Sequence, residues 1–276
     1  TTPGTTDMTT ALNDAADVCR EGGYTLTLAE DICLVSSALD FSRITVRGPD
    51  NGGYGGPQIK ASTAQFNVIT SIGNSTFEDF FVHGGWDGST AGQTGDVFHL
   101  NATGQVTDDV CYNVHLRNVR IQNAKRRSVY WYRAGYGSII SCAMNNSGLH
   151  VVELEGTAAV QSTTIEISGK STLSDAPNGY GLKLTEFVSI TLNGVIMENT
   201  QGINLNAANN RSLTLIDVYQ EGTTGTFLNG SGSAGIGLTI AGCYGAVIGM
   251  EDMANWTNVH IFGNAALTPF AIPLTD

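Results

Sequence analysis

The sequence predicts an all-β fold: a right-handed, single-stranded parallel β-helix, or solenoid, with a short N-terminal capping helix. Three observations predict it. First, a unit of about 23 residues recurs, within the period range of solenoids. Residues 188–209 (VSITLNGVIMENTQGINLNAAN) and 212–232 (SLTLIDVYQEGTTGTFLNGSG) align so that Ile190, Leu192, Glu198, Gly202 and Leu205 match Leu213, Leu215, Glu221, Gly225 and Leu228. A weaker copy begins at Ile236, and 141–151 fits the same frame. Second, apolar and polar residues alternate over short runs bounded by Gly, Asn, Ser and Thr, which is the strand pattern and not the helical one. Third, 34 glycines and only 14% charged residues suit a chain that turns corners on every lap, where φ > 0 or side-chain hydrogen bonding is needed. Laps stacked in this way display long flat ladders of side chains.

The elements follow in order. Thr6 or Asp7 can cap a first helix whose apolar stripe is Leu12, Ala15, Ala16 and Cys19, and Gly22-Gly23 stops it. Placed there, the helix covers the open first lap, which would otherwise expose core and unpaired strand edge. Alternating strands are expected at 24–28, 32–39 and 44–46, before a turn-rich loop at 50–57. Residues 1–57 are thus the capping helix and first strands, and 58–276 the coils, roughly nine if each uses the repeat period. Two loops, 83–95 and 169–179, interrupt them, and insertions of this kind gather on one face and carry binding.

A net charge of −12 argues against nucleic acid or an anionic membrane as partner. No apolar run is long enough for a membrane-spanning helix, and no apolar leader precedes Thr1. The five cysteines include no CxxC pair, so neither a zinc site nor a disulfide framework is read, and the five histidines have no metal-ligand spacing. No cofactor is implied.

Residues 7–16 (DMTTALNDAA) followed by 22–28 (GGYTLTL) resemble the entry to pectate-lyase-like right-handed β-helices, most of all the bacteriophage tailspike branch. The segments 195–202 and 218–225 are similar to coil segments of such spikes. The pattern departs after Leu28, where Ala29-Glu30-Asp31 replaces the usual Pro and Gly. Polygalacturonases are matched only by Asp108-Asp109, without their Gly-His-Gly or Arg-x-Lys. The resemblance implies a homotrimer in the virion tail, joined to phage tail or baseplate proteins, that engages host capsule or lipopolysaccharide and either hydrolyses or only binds it. A non-catalytic adhesin or structural spike, and a secreted polysaccharide lyase, are the alternatives.

Glycan hydrolysis requires two carboxyl groups. Residues one period apart become neighbours about 4.8 Å apart on adjacent coils, which nominates Glu198 with Glu221. Glu153 and Glu155, two apart on a strand, would share a face. Asp108, Asp109, Glu166 and Asp217 are weaker candidates. Six of the 13 basic residues lie at Arg117, Arg120, Lys125, Arg126, Arg127 and Arg133, interleaved with Tyr130, Trp131, Tyr132 and Tyr136. Aromatic faces stack on sugars and arginine forks hold acidic groups, so Arg126, Arg127, Tyr130, Trp131, Tyr132 and Arg133 are candidate glycan contacts, alongside a subunit interface or plain packing. Alternation puts Tyr130 and Tyr132 on one side, Val129, Trp131 and Arg133 on the other. Trp86 with Asp87 could grip a sugar from the first loop. His150, Lys183, Asn204 and Phe227 are expected to form one outward ladder.

Overall fold

A short strand that buries one face needs partners on both edges, and a coil supplies them by laying equivalent strands of successive laps side by side. The computed structural model describes residues 4–49, 58–88, 94–104, 109–206, 209–222, 226–230, 233–245, 250–251 and 255–263 and shows a parallel β-solenoid of ~8 turns. Each lap feeds three sheets of 11, 9 and 9 strands. Sheet 1 runs from Thr25–Thr27 to Trp256–Phe262, sheet 2 from Ile32–Val35 to Tyr244–Gly245, and sheet 3 from Leu39–Asp40 to Met250–Glu251.

Alternation turns one apolar column per sheet inward. In sheet 1 it comprises Phe77, Leu116, Ile139, Ile167, Leu192 and Leu215. In sheet 2 it is Ile59, Val82, Ile121, Met144, Leu173 and Met197, and in sheet 3 Phe98, Val129, Val152, Leu182, Ile203 and Leu228. Each such side chain contributes roughly 1.5–3 kcal/mol of burial.

Helix α1, Thr9–Gly22, closes the first lap with Leu12, Ala16 and Cys19 buried. Met8, not Thr6 or Asp7, is the capping residue; the Asp7 carboxylate nevertheless accepts the Thr9 backbone N–H at 2.9 Å. Gly23, left-handed at φ 67, ends the helix as expected. Arg20 ties it to the coil by donating to the Ser42 carbonyl at 2.9 Å.

The register between laps matches the repeat over most of its length. Ile190 pairs with Leu213, Leu192 with Leu215 and Glu198 with Glu221. Leu228, however, pairs with Ile203, not Leu205, because the turn after Glu221 is two residues longer than the turn after Glu198. An even shift keeps apolar residues facing inward. Gly225 lies outside the described residues, as do Asp108, the loop 50–57 and part of 83–95. The stretch 169–179 is not wholly loop: Thr172–Ser174 joins sheet 2.

Corners are built mostly without glycine. Sheet 1 bends on every lap at a residue with positive φ: Arg43, Asn74, Asn113, Tyr136, Thr164, Ser189, Ser212, Gly237 and Asn258. The ladder on either side keeps these in one column, since Gly135 pairs with Thr163 and Gly137 with Ile165, and likewise in later laps. Backbone contacts to the lap above and below hold these left-handed conformations, which a non-glycine residue adopts only at a cost.

Candidate functional site

On sheet 2 the residues after the inward column are Gln122, Asn145, Ser174, Glu198 and Glu221, outward-facing except for the buried Ser174. Each is followed by a left-handed residue: Asn123, Asn146, Asp175, Asn199 and Gly222. Asn and Asp tolerate that conformation best among non-glycine residues. They also bond along the column: Asn146 Nδ2 donates to Asn123 Oδ1 at 2.5 Å and Asn199 Nδ2 to Asp175 Oδ1 at 2.9 Å. At Gly222 a Cβ would sit 2.4 Å from Asn199 Oδ1, so a side chain there would have to displace that amide. A groove of about 700 Å³ runs along this corner, lined by the amides, Asp175 and Pro177.

Glu198 and Glu221 are register partners on adjacent rungs beside that groove. Glu198 is half-buried and Glu221 exposed. The Tyr219 hydroxyl donates to Glu221 Oε2 at 2.8 Å, and that bond raises the phenol's pKa. The Tyr219 ring stacks on Tyr244 with centroids 5.5 Å apart. Trp86, half-buried, lies at the same corner, its backbone N–H donating to the Asn123 carbonyl at 3.0 Å.

Glu153 and Glu155 share the outer face of sheet 3, yet their surroundings differ from an acid–base pair's. Glu153 is 4% exposed and clamped between Arg127 Nη1 at 2.6 Å and Lys183 Nζ at 2.8 Å. Arg127 also meets both oxygens of buried Asp96, at 2.7 and 2.9 Å, and lies 3.7 Å over the Tyr130 ring. His99 Nδ1 completes the cluster, 2.9 Å from Asp96. Burial alone would raise the Glu153 carboxyl's pKa; the Lys183 and Arg127 contacts outweigh it and hold the group below the ordinary range. Such a group stays ionised and is a poor proton donor. Glu155 accepts the Tyr130 hydroxyl at 2.8 Å; burial, then that bond, raises the phenol's pKa.

Several expected glycan contacts lie elsewhere. Trp131 is fully buried and donates from Nε1 to the Cys111 carbonyl at 2.9 Å, so no sugar reaches it. Arg127 is committed to the buried cluster, whereas Arg126 and Tyr132 remain half-buried and Arg133 bonds Asp109 at 3.1 Å. The outward ladder of sheet 3 is Tyr130, Glu153, Lys183, Asn204 and Asn229. His150 and Phe227 are not in it. His150 precedes its strand, buried, with Nδ1 accepting from the Tyr180 N–H at 3.1 Å, and Phe227 is core. Each lies just before the alternating run, where spacing from a glycine does not fix the face. Glu166 and Asp217 are exposed, on sheet 1 and at a left-handed corner.

The Asn–Asp column was missed in the sequence, although Asn123, Asn146 and Asn199 recur at one phase of the repeat. Asp96 had no local signal at all.

No profile of a known protein family matches the chain, and no curated protein matches it in sequence. Solved structures do. A tailspike protein of Acinetobacter baumannii bacteriophage Fri1, a capsular polysaccharide depolymerase, superposes with TM-score 0.61 at 10% identity, over 96% of this chain and 55% of that one. The enzymatically active domain of tailspike protein 2 from bacteriophage CBA120 gives 0.54 at 15% identity, over 94% and 44%. A polygalacturonase from Erwinia carotovora gives 0.52 at 10%, over 99% and 94%. The shared property is the parallel β-solenoid; the chain spans about half the length of the tailspikes it matches.

Proposed function

We propose that this chain is the solenoid of a phage tailspike that binds a bacterial surface polysaccharide in the sheet 2 groove and hydrolyses it with Glu198 and Glu221. One observation carries the reading: two register-paired glutamates on adjacent rungs, beside a groove of about 700 Å³ lined mainly by amide side chains. Rungs lie about 4.8 Å apart, near the roughly 5–5.5 Å carboxyl separation of retaining glycosidases. Glu221, already accepting the Tyr219 hydroxyl, is the carboxylate that attacks the anomeric carbon. Glu198 donates its proton to the departing glycosidic oxygen, then takes one from the water that cleaves the glycosyl–enzyme ester. Gln122, Asn145 and the asparagine column offer both donors and acceptors to sugar hydroxyls.

The similarity of fold to two tailspikes supports the biological setting: a virion tail, acting at the bacterial surface as three copies joined to tail or baseplate proteins. Incubation with capsule or lipopolysaccharide tests the chemistry, with new reducing ends expected and lost in Glu198→Gln. Binding without reducing ends would leave an adhesin; unsaturated ends would mean a lyase.

A further inference from the structure

The bend column of sheet 1 is filled by short, polar or glycine residues except at Arg43 and Tyr136. Tyr136 holds φ 51 and is 55% exposed. A left-handed conformation is costly for a bulky residue, and the ring buries little in return. The packing is done by its neighbours. A Cβ at Gly137 would lie 2.1 Å from the Trp131 indole, and one at Gly135 would lie 2.5 Å from the Tyr112 ring. Gly135 thereby leaves room for Tyr112, whose ring centroid is 5.8 Å from that of Tyr136. The backbone is thus shaped to hold an aromatic pair at the bend, Tyr136 exposed and Tyr112 half-buried.

Beside that pair is a groove of about 480 Å³, separate from the one on sheet 2, lined by Tyr136, Arg117, His115, Ser138, Glu166 and Thr191 among others. The Arg117 side chain is 54% exposed, and its one ion partner among the described residues, Glu78, is 3.7 Å away and more closely engaged by Arg47. Donors of the guanidinium therefore remain for a ligand. His115 Nδ1 and Ser138 Oγ, 2.9 Å apart, fix each other on the groove floor. An aromatic face, a guanidinium and a floor of hydroxyls fit a sugar that bears an acidic group.

We propose that this groove is a second, non-catalytic carbohydrate site, which takes an acidic glycan with a sugar ring against Tyr136 and its carboxylate on Arg117. It rests on the reading of the chain as a polysaccharide binder, and not on hydrolysis at Glu198 and Glu221. Such a site would hold the polymer while the sheet 2 groove works on it.

The test uses an array of acidic and neutral bacterial glycans, with the carboxyl-reduced form of each acidic hit, and thermal unfolding of every variant. Tyr136→Asn, which suits the left-handed backbone, is expected to weaken acidic-glycan binding about tenfold, equivalent to about 1.4 kcal/mol, with an unchanged or higher melting midpoint. Arg117→Gln should weaken binding to the acidic form and not to the reduced one. Glu198→Gln should abolish cleavage and leave array binding intact. Wild-type-like binding by Tyr136→Asn overturns the second site alone, as does weaker binding explained by a falling midpoint. Binding without cleavage by the wild type overturns hydrolysis alone. If the wild type binds no glycan on the array, both fail.

Discussion

Arg127 and Asp96 meet edge to edge just ahead of two sheet 3 strands, Nε and Nη2 of one against both oxygens of the other at 2.7 and 2.9 Å, with both side chains almost out of solvent. Glu153 accepts from the remaining Nη1 of the guanidinium. Removing one partner of such a cluster leaves a buried charge uncompensated. Asp96→Asn should therefore destabilise the fold by about 3–5 kcal/mol, read by denaturant titration; a loss under 1 kcal/mol would show the cluster to be solvated.

The same groups set the acid limit of the fold. Asp96 and Glu153 both titrate below their ordinary values when folded: burial opposes this, and their cationic partners prevail. Depressed carboxyl values mean that the unfolded chain binds protons first as pH falls. Their stabilisation is complete above about pH 4, near the unfolded values, and is lost below it. His150 acts in a higher window. Burial lowers its pKa to about 4, against about 6.5 unfolded, so the unfolded chain gains this proton first between those values and stability declines from pH 6.5 to 4. Melting midpoints across pH 3–8 should show both losses, and His150→Gln should flatten only the upper one.

Glu198→Gln and Glu221→Gln should each cut depolymerisation by about 10²–10⁴-fold, measured as reducing ends, with stability changed by under about 0.5 kcal/mol. Equal activity in either variant would exclude the pair.

Tyr219 bonds Glu221 without belonging to the pair. Tyr219→Phe should slow turnover up to about tenfold, the value of one hydrogen bond, and shift the pH–rate profile; an unchanged profile would make the bond incidental.

Two glycine substitutions separate crowding from backbone strain. Ala at Gly194 meets nothing nearer than 3.9 Å and bears only the left-handed penalty, about 1 kcal/mol. Gly137→Ala drives a methyl against Trp131 and the Val114 carbonyl, 2.1 and 2.3 Å from its Cβ, and should cost clearly more, beyond the usual 1–3 kcal/mol of overpacking. Equal losses in urea titrations would contradict the packing of Trp131.

Glu198 and Glu221 could be paired from the sequence because the chain between them contains no irregular insertion. Ile203 could not be told from Leu205 as the partner of Leu228, since both fit the alternation and only the turn length decides. Asp96 and Arg127 were invisible for a related reason: they lie on different laps, joined through side chains from outside the alternating runs. The bend of sheet 1 was hidden by residue type, because Tyr136, Thr164 and Ser189 do not advertise positive φ as glycine does.

The sheet 2 strand that ends at His83 and the sheet 3 strand that begins at Phe98 are joined by residues 84–97, and the registers on either side close: Val82 meets Ile121 and Phe98 meets Val129. A segment of almost any length can be spliced at that point while the stacked framework stays in phase, because ends held by neighbouring laps pay only slowly for added length. The framework thus holds at that point an exchangeable cassette whose replacement does not reopen the folding problem.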